Sequence, residues 1–193
     1  VKRTTDLVEL VAQLRARGVA FHLTIAGTGP AEHWLRDRLA EEIRAGIVAM
    51  PGAVPLSKMG DLVDDHDAVI LVSESEGMPN IVMEAFVRGR GAFLTQGCGG
   101  AAELVAREPG AGRIVGTGDM RAMASEIASM DQAGLVSMGR RARGASAIFD
   151  ITTISSRYNA LITSALGAGA RHPRATWEGI RRAMTGIEGA TDE

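Results

Sequence analysis

Residues 73–89, Ser-Glu-Ser-Glu-Gly-Met-Pro-Asn-Ile-Val-Met-Glu-Ala-Phe-Val-Arg-Gly, follow directly on the apolar run Ala68-Val69-Ile70-Leu71-Val72. A β-branched run that ends in a polar loop and then opens a helix predicts a strand over 68–72. It sets backbone N–H groups and two carboxylates, Glu76 and Glu84, at the carboxyl edge of a sheet, where open α/β sheets bind their ligands. Pro79 has a fixed φ and no N–H, so it suits the first helical position, with Asn80 or Ser75 able to cap a free donor. From there Ile81, Met83, Ala85, Phe86 and Val87 make a mostly apolar helix that stops at Gly89.

The start of that helix offers unpaired N–H groups and a partial positive charge, which favour a phosphate or another oxygen-rich group, and Gly77 lets the backbone come close. Glu84 lies one turn inside, on the face of Asn80, while Glu76 stands in the preceding loop. The plain alternative is two solvated acids stabilised by the helix dipole. Ionised carboxylates only accept hydrogen bonds, so two of them beside an anion-friendly helix start suggest a ligand with both phosphates and hydroxyl donors. A nucleotide sugar has that character.

Outward from this segment, helical and strand patterns alternate. Leu7, Leu10, Val11 and Leu14 keep helical spacing, with Thr4, Thr5 or Asp6 as caps. A strand over 21–26, a helix over 30–44, a strand over 47–50 and a short helix over 57–64 lead up to the strand at 68–72. Beyond the 80–88 helix come a strand over 92–95, a short helix carrying Glu103 and a strand over 113–115. Met120, Met123, Ala124 and Ile127 mark another helix, followed by helices over 135–147 and 153–166. Five strands separated by helices predict an α/β fold with a doubly wound, parallel, Rossmann-like sheet. Gly167-Ala168-Gly169-Ala170 reads as a flexible break, after which Trp177, Ile180, Met184 and Ile187 space a weak amphipathic tail helix. The expected organisation is a domain over 1–166 and a tail over 167–193.

Composition narrows the function classes. At 193 residues and 46% hydrophobic, the chain has material for one well-cored domain. A formal charge of -2 gives no ground for nucleic-acid binding, and Arg140-Arg141-Ala142-Arg143 reads as a solvated helix face. Cys98 is the sole cysteine, which excludes an internal disulfide and suits the cytosol. His22, His33, His66 and His172 include no pair at ligand spacing, so neither a metal site nor a Ser-His-Asp relay is expected; no cofactor is expected either. The nine methionines read as core filling. No apolar stretch approaches the ~20 residues of a membrane span, and no signal-peptide pattern opens the chain. A cytoplasmic protein is expected.

Glu76 and Glu84 form a Glu-x7-Glu pattern inside Glu-Gly-Met-Pro-Asn-Ile-Val-Met-Glu-Ala-Phe-Val-Arg-Gly, followed by Gly99-Gly100 and Glu103-Leu104-Val105. This resembles the C-terminal, donor-binding domain of the family four retaining glycosyltransferases of the GT-B fold. Phe21-His22-Leu23-Thr24-Ile25-Ala26-Gly27-Thr28-Gly29-Pro30 is similar to that family's strand and Gly-x-Gly-Pro turn, and Gly52-Ala53-Val54-Pro55 to the loop that receives the base. As a dinucleotide fingerprint the turn fails, because Glu32 stands where a third glycine is needed. The matches run in order from Lys2 to about Ala165.

The resemblance implies roles. Glu84 would accept from the ribose hydroxyls and Glu76 from hydroxyls of the donor hexose, while the backbone of Gly77, Met78, Pro79, Asn80 and Ile81 would meet sugar and diphosphate. Gly27, Gly29 and Val54 would line the nucleotide side, and Lys2 would match the family's donor-phosphate lysine. Gly99-Gly100 is either turn chemistry or backbone approach to the sugar, and Glu103 is structural. The implied reaction is retaining transfer of a hexosyl group to an acceptor hydroxyl, without a metal. Because the chain opens at Val1-Lys2-Arg3, the expectation is a fragment lacking the acceptor domain and the first strand of this one, able to bind but not to turn over. Two rivals remain, a non-catalytic nucleotide-sugar module and a GT-B sugar-nucleotide epimerase; the intact Glu76, Glu84 and Gly77 weigh against the first and the Glu-x7-Glu context against the second.

Overall fold

Leu7, Leu10, Val11 and Leu14 fall on one stripe of α1 (Asp6–Ala16), and all four are buried. The computed structural model describes residues 2–168. Two compact units make up the chain, Val1–Ala147 and Ile148–Glu193. In the first, β1 (Leu23–Ala26), α2 (Glu32–Arg38), α3 (Ala40–Arg44), β2 (Val48–Gly52), α4 (Leu56–Asp64) and β3 (Ala68–Leu71) lead to α5 (Asn80–Val87). Then come β4 (Gly91–Thr95), α6 (Gly99–Arg107), β5 (Gly112–Val115), α7 (Met120–Ala128) and α8 (Gln132–Ala145). In the second unit α9 spans Ile151–Ala168, through the first half of the expected break at 167–170. The expected tail helix with Trp177, Ile180, Met184 and Ile187 lies outside the described residues.

Every strand pairing is parallel, as the alternation of helix and strand predicts. β4 is buried at all five positions, so both of its faces are covered, as in a doubly wound sheet. The ladder nevertheless comes in two pieces, β1-β2 and β3-β4-β5, where one sheet was expected. β1 and β3 do not pair with each other, and each is half-buried along most of its length. Side chains join the pieces instead. Leu7, Leu10 and Leu14 of α1 pack with Val72, Phe93 and Val115, and with Phe21 and Ile25 from the β1 side. The His66 ring bonds Leu62 O through Nδ1 and takes the Thr24 hydroxyl on Nε2, each at 2.8 Å. His66 precedes β3 and Thr24 is near the start of β1, so both strands begin at one edge and deliver their ends to the other.

Three local expectations are corrected. The helix over 30–44 is broken at Leu39 (φ -106°, ψ 18°), which is 1% exposed and belongs to a core with Val11, Leu35 and Val48. Pro79 has ψ 121°, so it is the residue before α5, and Asn80 is the first helical one; neither Asn80 nor Ser75 caps the helix. Thr5 precedes α1 without a side-chain cap bond, and the Asp6 carboxylate accepts from Arg3 Nε at 2.7 Å.

Candidate functional site

The loop after β3 is held from below. Val72 is buried in the core and Ser73 is 3% exposed, so the chain is anchored up to the residue where the polar segment 74–78 begins. Thr95, at the end of neighbouring β4, donates its hydroxyl to Ser73 O at 2.5 Å. Ser73 Oγ in turn donates to Glu76 Oε1 at 3.1 Å, and Glu76 N donates to Gly97 O at 2.9 Å. One residue on, Gly77 O accepts from Gly100 N at 2.7 Å. The turn that follows β4 therefore fixes the backbone of Glu76 and Gly77, and Ser73 holds the Glu76 carboxylate.

That turn explains its own glycines. Gly99 has φ +49°, and a Cβ there would lie 2.0 Å from Glu76 O; a Cβ on Gly97 would lie 2.4 Å from the Glu74 carbonyl. Gly97 and Gly99 are small so that the two loops can touch, a use that spacing alone did not suggest. Gly77 and Gly29 differ from them. Neither has a positive φ, and a Cβ at either would meet no atom of the protein within 4 Å.

On α5, Glu84 is half-buried one turn after exposed Asn80, and its carboxylate takes no hydrogen bond or ion pair among the described residues. The helix opens without a side-chain cap; Val82 N donates to Pro79 O at 3.0 Å, and the N–H groups of Asn80 and Ile81 ahead of it are left to face whatever occupies the loop. Arg88 at its far end pairs with Asp64 of α4, and Phe86, 0% exposed, locks the helix onto the core. Glu76, Gly77, Met78, Pro79, Asn80, Ile81 and Glu84 thus form one continuous stretch of loop and helix. Pro79 is the buried member of the loop, while Gly77, Met78 and Asn80 are exposed.

The other expected residues sit on the companion strands. Gly27 has φ +114°, which allows the chain to turn at the end of β1, and its N–H donates to Gly52 O at 2.7 Å. Val54 follows two residues later in chain order, half-buried ahead of α4. Gly27, Gly29 and Val54 therefore share the end of the β1-β2 pair. Lys2 is exposed, in the segment before α1. Beside it Arg3, at φ +46°, bonds Asp6, and its guanidinium comes within 3.1 Å of where a Cβ on Gly118 would stand. The hydrogen bond and charge of Asp6, with a smaller pull from Glu74, raise the pKa of Arg3. Arg3 thus lies between the start of α1 and the loop after β5. Spacing did not single out Arg3, Ser73 or Thr95; for Ser73 the available signal was a hydroxyl closing an apolar run three residues before a carboxylate.

Among the described residues, no group of three or more His, Cys, Asp or Glu side chains could hold a metal ion, and no helix is long and apolar enough to cross a membrane.

A family model described as glycosyl transferases group 1 matches residues 1–132. The Escherichia coli K12 protein named "Putative colanic acid biosynthesis glycosyltransferase WcaL" is 34% identical over 131 residues, covering 65% of this chain and 32% of that protein. The chain spans about a third of the length of the curated relatives it matches. Among solved structures, Anabaena HepE in complex with UDP superposes with a TM-score of 0.71 at 21% identity, over 84% of this chain and 45% of that one. The C-terminal domain of the group 1 family protein LpcC from Francisella tularensis gives 0.64 at 14% identity, over 79% of this chain and 80% of that one. At such identities the superpositions show a shared Rossmann-like, GT-B type fold.

Proposed function

Since the chain belongs to the group 1 glycosyl transferases, we propose that residues 1–166 bind a nucleotide-sugar donor for retaining transfer of a hexosyl group to an acceptor hydroxyl. The observation that carries this is the stretch from Glu76 to Glu84: a fixed carboxylate, a glycine facing open space, an uncapped helix start and a second carboxylate without a partner. Carboxylates accept from sugar hydroxyls, and free N–H groups at a helix start suit a diphosphate. The fold neighbour HepE was solved with UDP, in keeping with this reading.

In this reading Glu84 accepts from the ribose, Glu76 from the hexose, and the backbone from Gly77 to Ile81 meets the diphosphate. Gly27 and Gly29 face the donor, Val54 lines the base, and Lys2 offsets charge on the leaving phosphates. The protein acts by orientation and charge stabilisation. The bond from the anomeric carbon to the diphosphate breaks, the acceptor oxygen bonds that carbon on the same face, and the departing phosphate takes the acceptor proton. Neither glutamate serves as a nucleophile, and no metal is required. Acceptor recognition belongs to residues beyond these 193, in keeping with the third of its relatives that the chain spans, so it binds donor without multiple turnover. Among the described residues β1 and β3 each pair with a strand on one side alone, which supports a further strand supplied by sequence outside these residues.

Calorimetry with UDP, GDP, ADP and their sugars tests the proposal. Glu84→Ala should weaken the free diphosphate and the nucleotide sugar alike, whereas Glu76→Ala should weaken only the nucleotide sugar. A hydrogen bond to a charged group is worth roughly 1.5–3 kcal/mol, so each loss is about ten- to a hundredfold in Kd. Equal effects of both substitutions on the free diphosphate would refute the division of roles.

A further inference from the structure

Ser73 and Thr95 are the two buried polar side chains among the described residues, at 3% and 0% exposure. A buried hydroxyl is costly unless bonded, and an alanine or valine at either place would fill apolar surroundings without that demand. Both hydroxyls lie on one chain of hydrogen bonds. Thr95 Oγ1 donates to Ser73 O, Ser73 Oγ donates to Glu76 Oε1, and the chain ends there. At the other end Cys98 Sγ, also buried, stands 3.6 Å from Thr95 Oγ1 and donates to Leu71 O at 3.7 Å.

The two links do different things. Thr95 fixes the carbonyl at which β3 hands over to the loop, and so fixes where Ser73 stands. Ser73 then occupies one oxygen of Glu76 and leaves Oε2 as the acceptor that no group among the described residues uses. A glutamate side chain is otherwise free to rotate, and ordering it on ligand binding would cost affinity. With its backbone held by Gly97 O and its carboxylate held by Ser73, Glu76 is ordered before any ligand arrives.

We infer that Ser73 is a positioning residue for the donor sugar, acting through Glu76, and that Thr95 holds Ser73 in register. This rests on Glu76 accepting from the sugar. The test uses the 193-residue chain and calorimetry with UDP-glucose and UDP, GDP-mannose and GDP, and ADP-glucose and ADP, taking the pair that binds. Ser73→Ala is expected to weaken the nucleotide sugar about two- to tenfold, the worth of one hydrogen bond, and to leave the free diphosphate unchanged. In a Glu76→Ala background Ser73→Ala should add nothing. Thr95→Val should act in the same direction, and Thr95→Ser should restore binding. If Ser73→Ala does not fold, Thr95→Val with its rescue carries the same comparison. Equal loss for sugar and diphosphate, an undiminished effect without Glu76, or no effect overturns the positioning role while leaving the Glu76 assignment standing. A Glu76→Ala chain that binds every nucleotide sugar normally, or a wild-type chain that binds no pair, overturns both.

Discussion

Replacing Gly77 with alanine separates two reasons for a glycine at that position. Its φ is not positive and a Cβ would meet nothing within 4 Å, so the fold itself makes no demand for glycine there. Alanine at a compatible site restricts the unfolded chain and stabilises by about 0.4–1 kcal/mol. If the open space is where the donor lies, the added methyl intrudes on the ligand, and a misfit of that size costs about 1–3 kcal/mol. That is roughly a five- to a hundredfold rise in Kd. Urea denaturation and calorimetry on the same preparation read both quantities. A variant that is more stable yet binds poorly is the expected result. Unchanged affinity in a folded Gly77→Ala chain would show that no ligand approaches this backbone, and the assignment of the loop would fall with it.

Gly99→Ala should behave in the opposite way, because its Cβ would sit 2.0 Å from Glu76 O at a φ of +49°; a clear loss of stability in the same denaturation is expected. Phe86→Ala, at a side chain 0% exposed, should cost about 3–5 kcal/mol and lower the thermal midpoint. Asp131 caps α8 by accepting from Gly134 N at 2.7 Å, so Asp131→Ala should cost about 1 kcal/mol by denaturation and leave donor binding unaltered.

Most of the element order was legible because each amphipathic stripe reports its own helix: Leu7, Leu10, Val11 and Leu14 predicted α1, and Met120, Met123 and Ala124 predicted α7, and all seven are buried. The candidate carboxylates were legible too, since a strand, a loop and a helix in series place Glu76 and Glu84 without knowledge of anything else. What sequence order hid was contact between distant segments. The bond from Thr95 to Ser73 spans 22 residues, and Gly97 and Gly99 owe their size to the backbone of Glu74 and Glu76. The break at Leu39 was hidden for a related reason: a helical pattern does not reveal that one leucine is drawn into a core shared with Val11 and Val48. Pro79 was misplaced by one position, because its fixed φ fits both the first helical residue and the one before it, and only ψ separates them.

Glu76 and Gly77 are pinned to Gly97 and Gly100 by main-chain bonds, while the side chains of Ser75, Met78 and Asn80 around them are exposed. Main-chain bonds are indifferent to side-chain identity. If the donor lies here as proposed, substitutions at these three exposed positions can therefore reshape the walls of its site without shifting the backbone that carries the carboxylate. The loop is a mount with exchangeable fittings: new preferences can arise at 75, 78 and 80 by single steps, while a change at Gly97 or Gly99 disturbs the mount itself. Selection for a different ligand would have an open path through the first set and a closed one through the second.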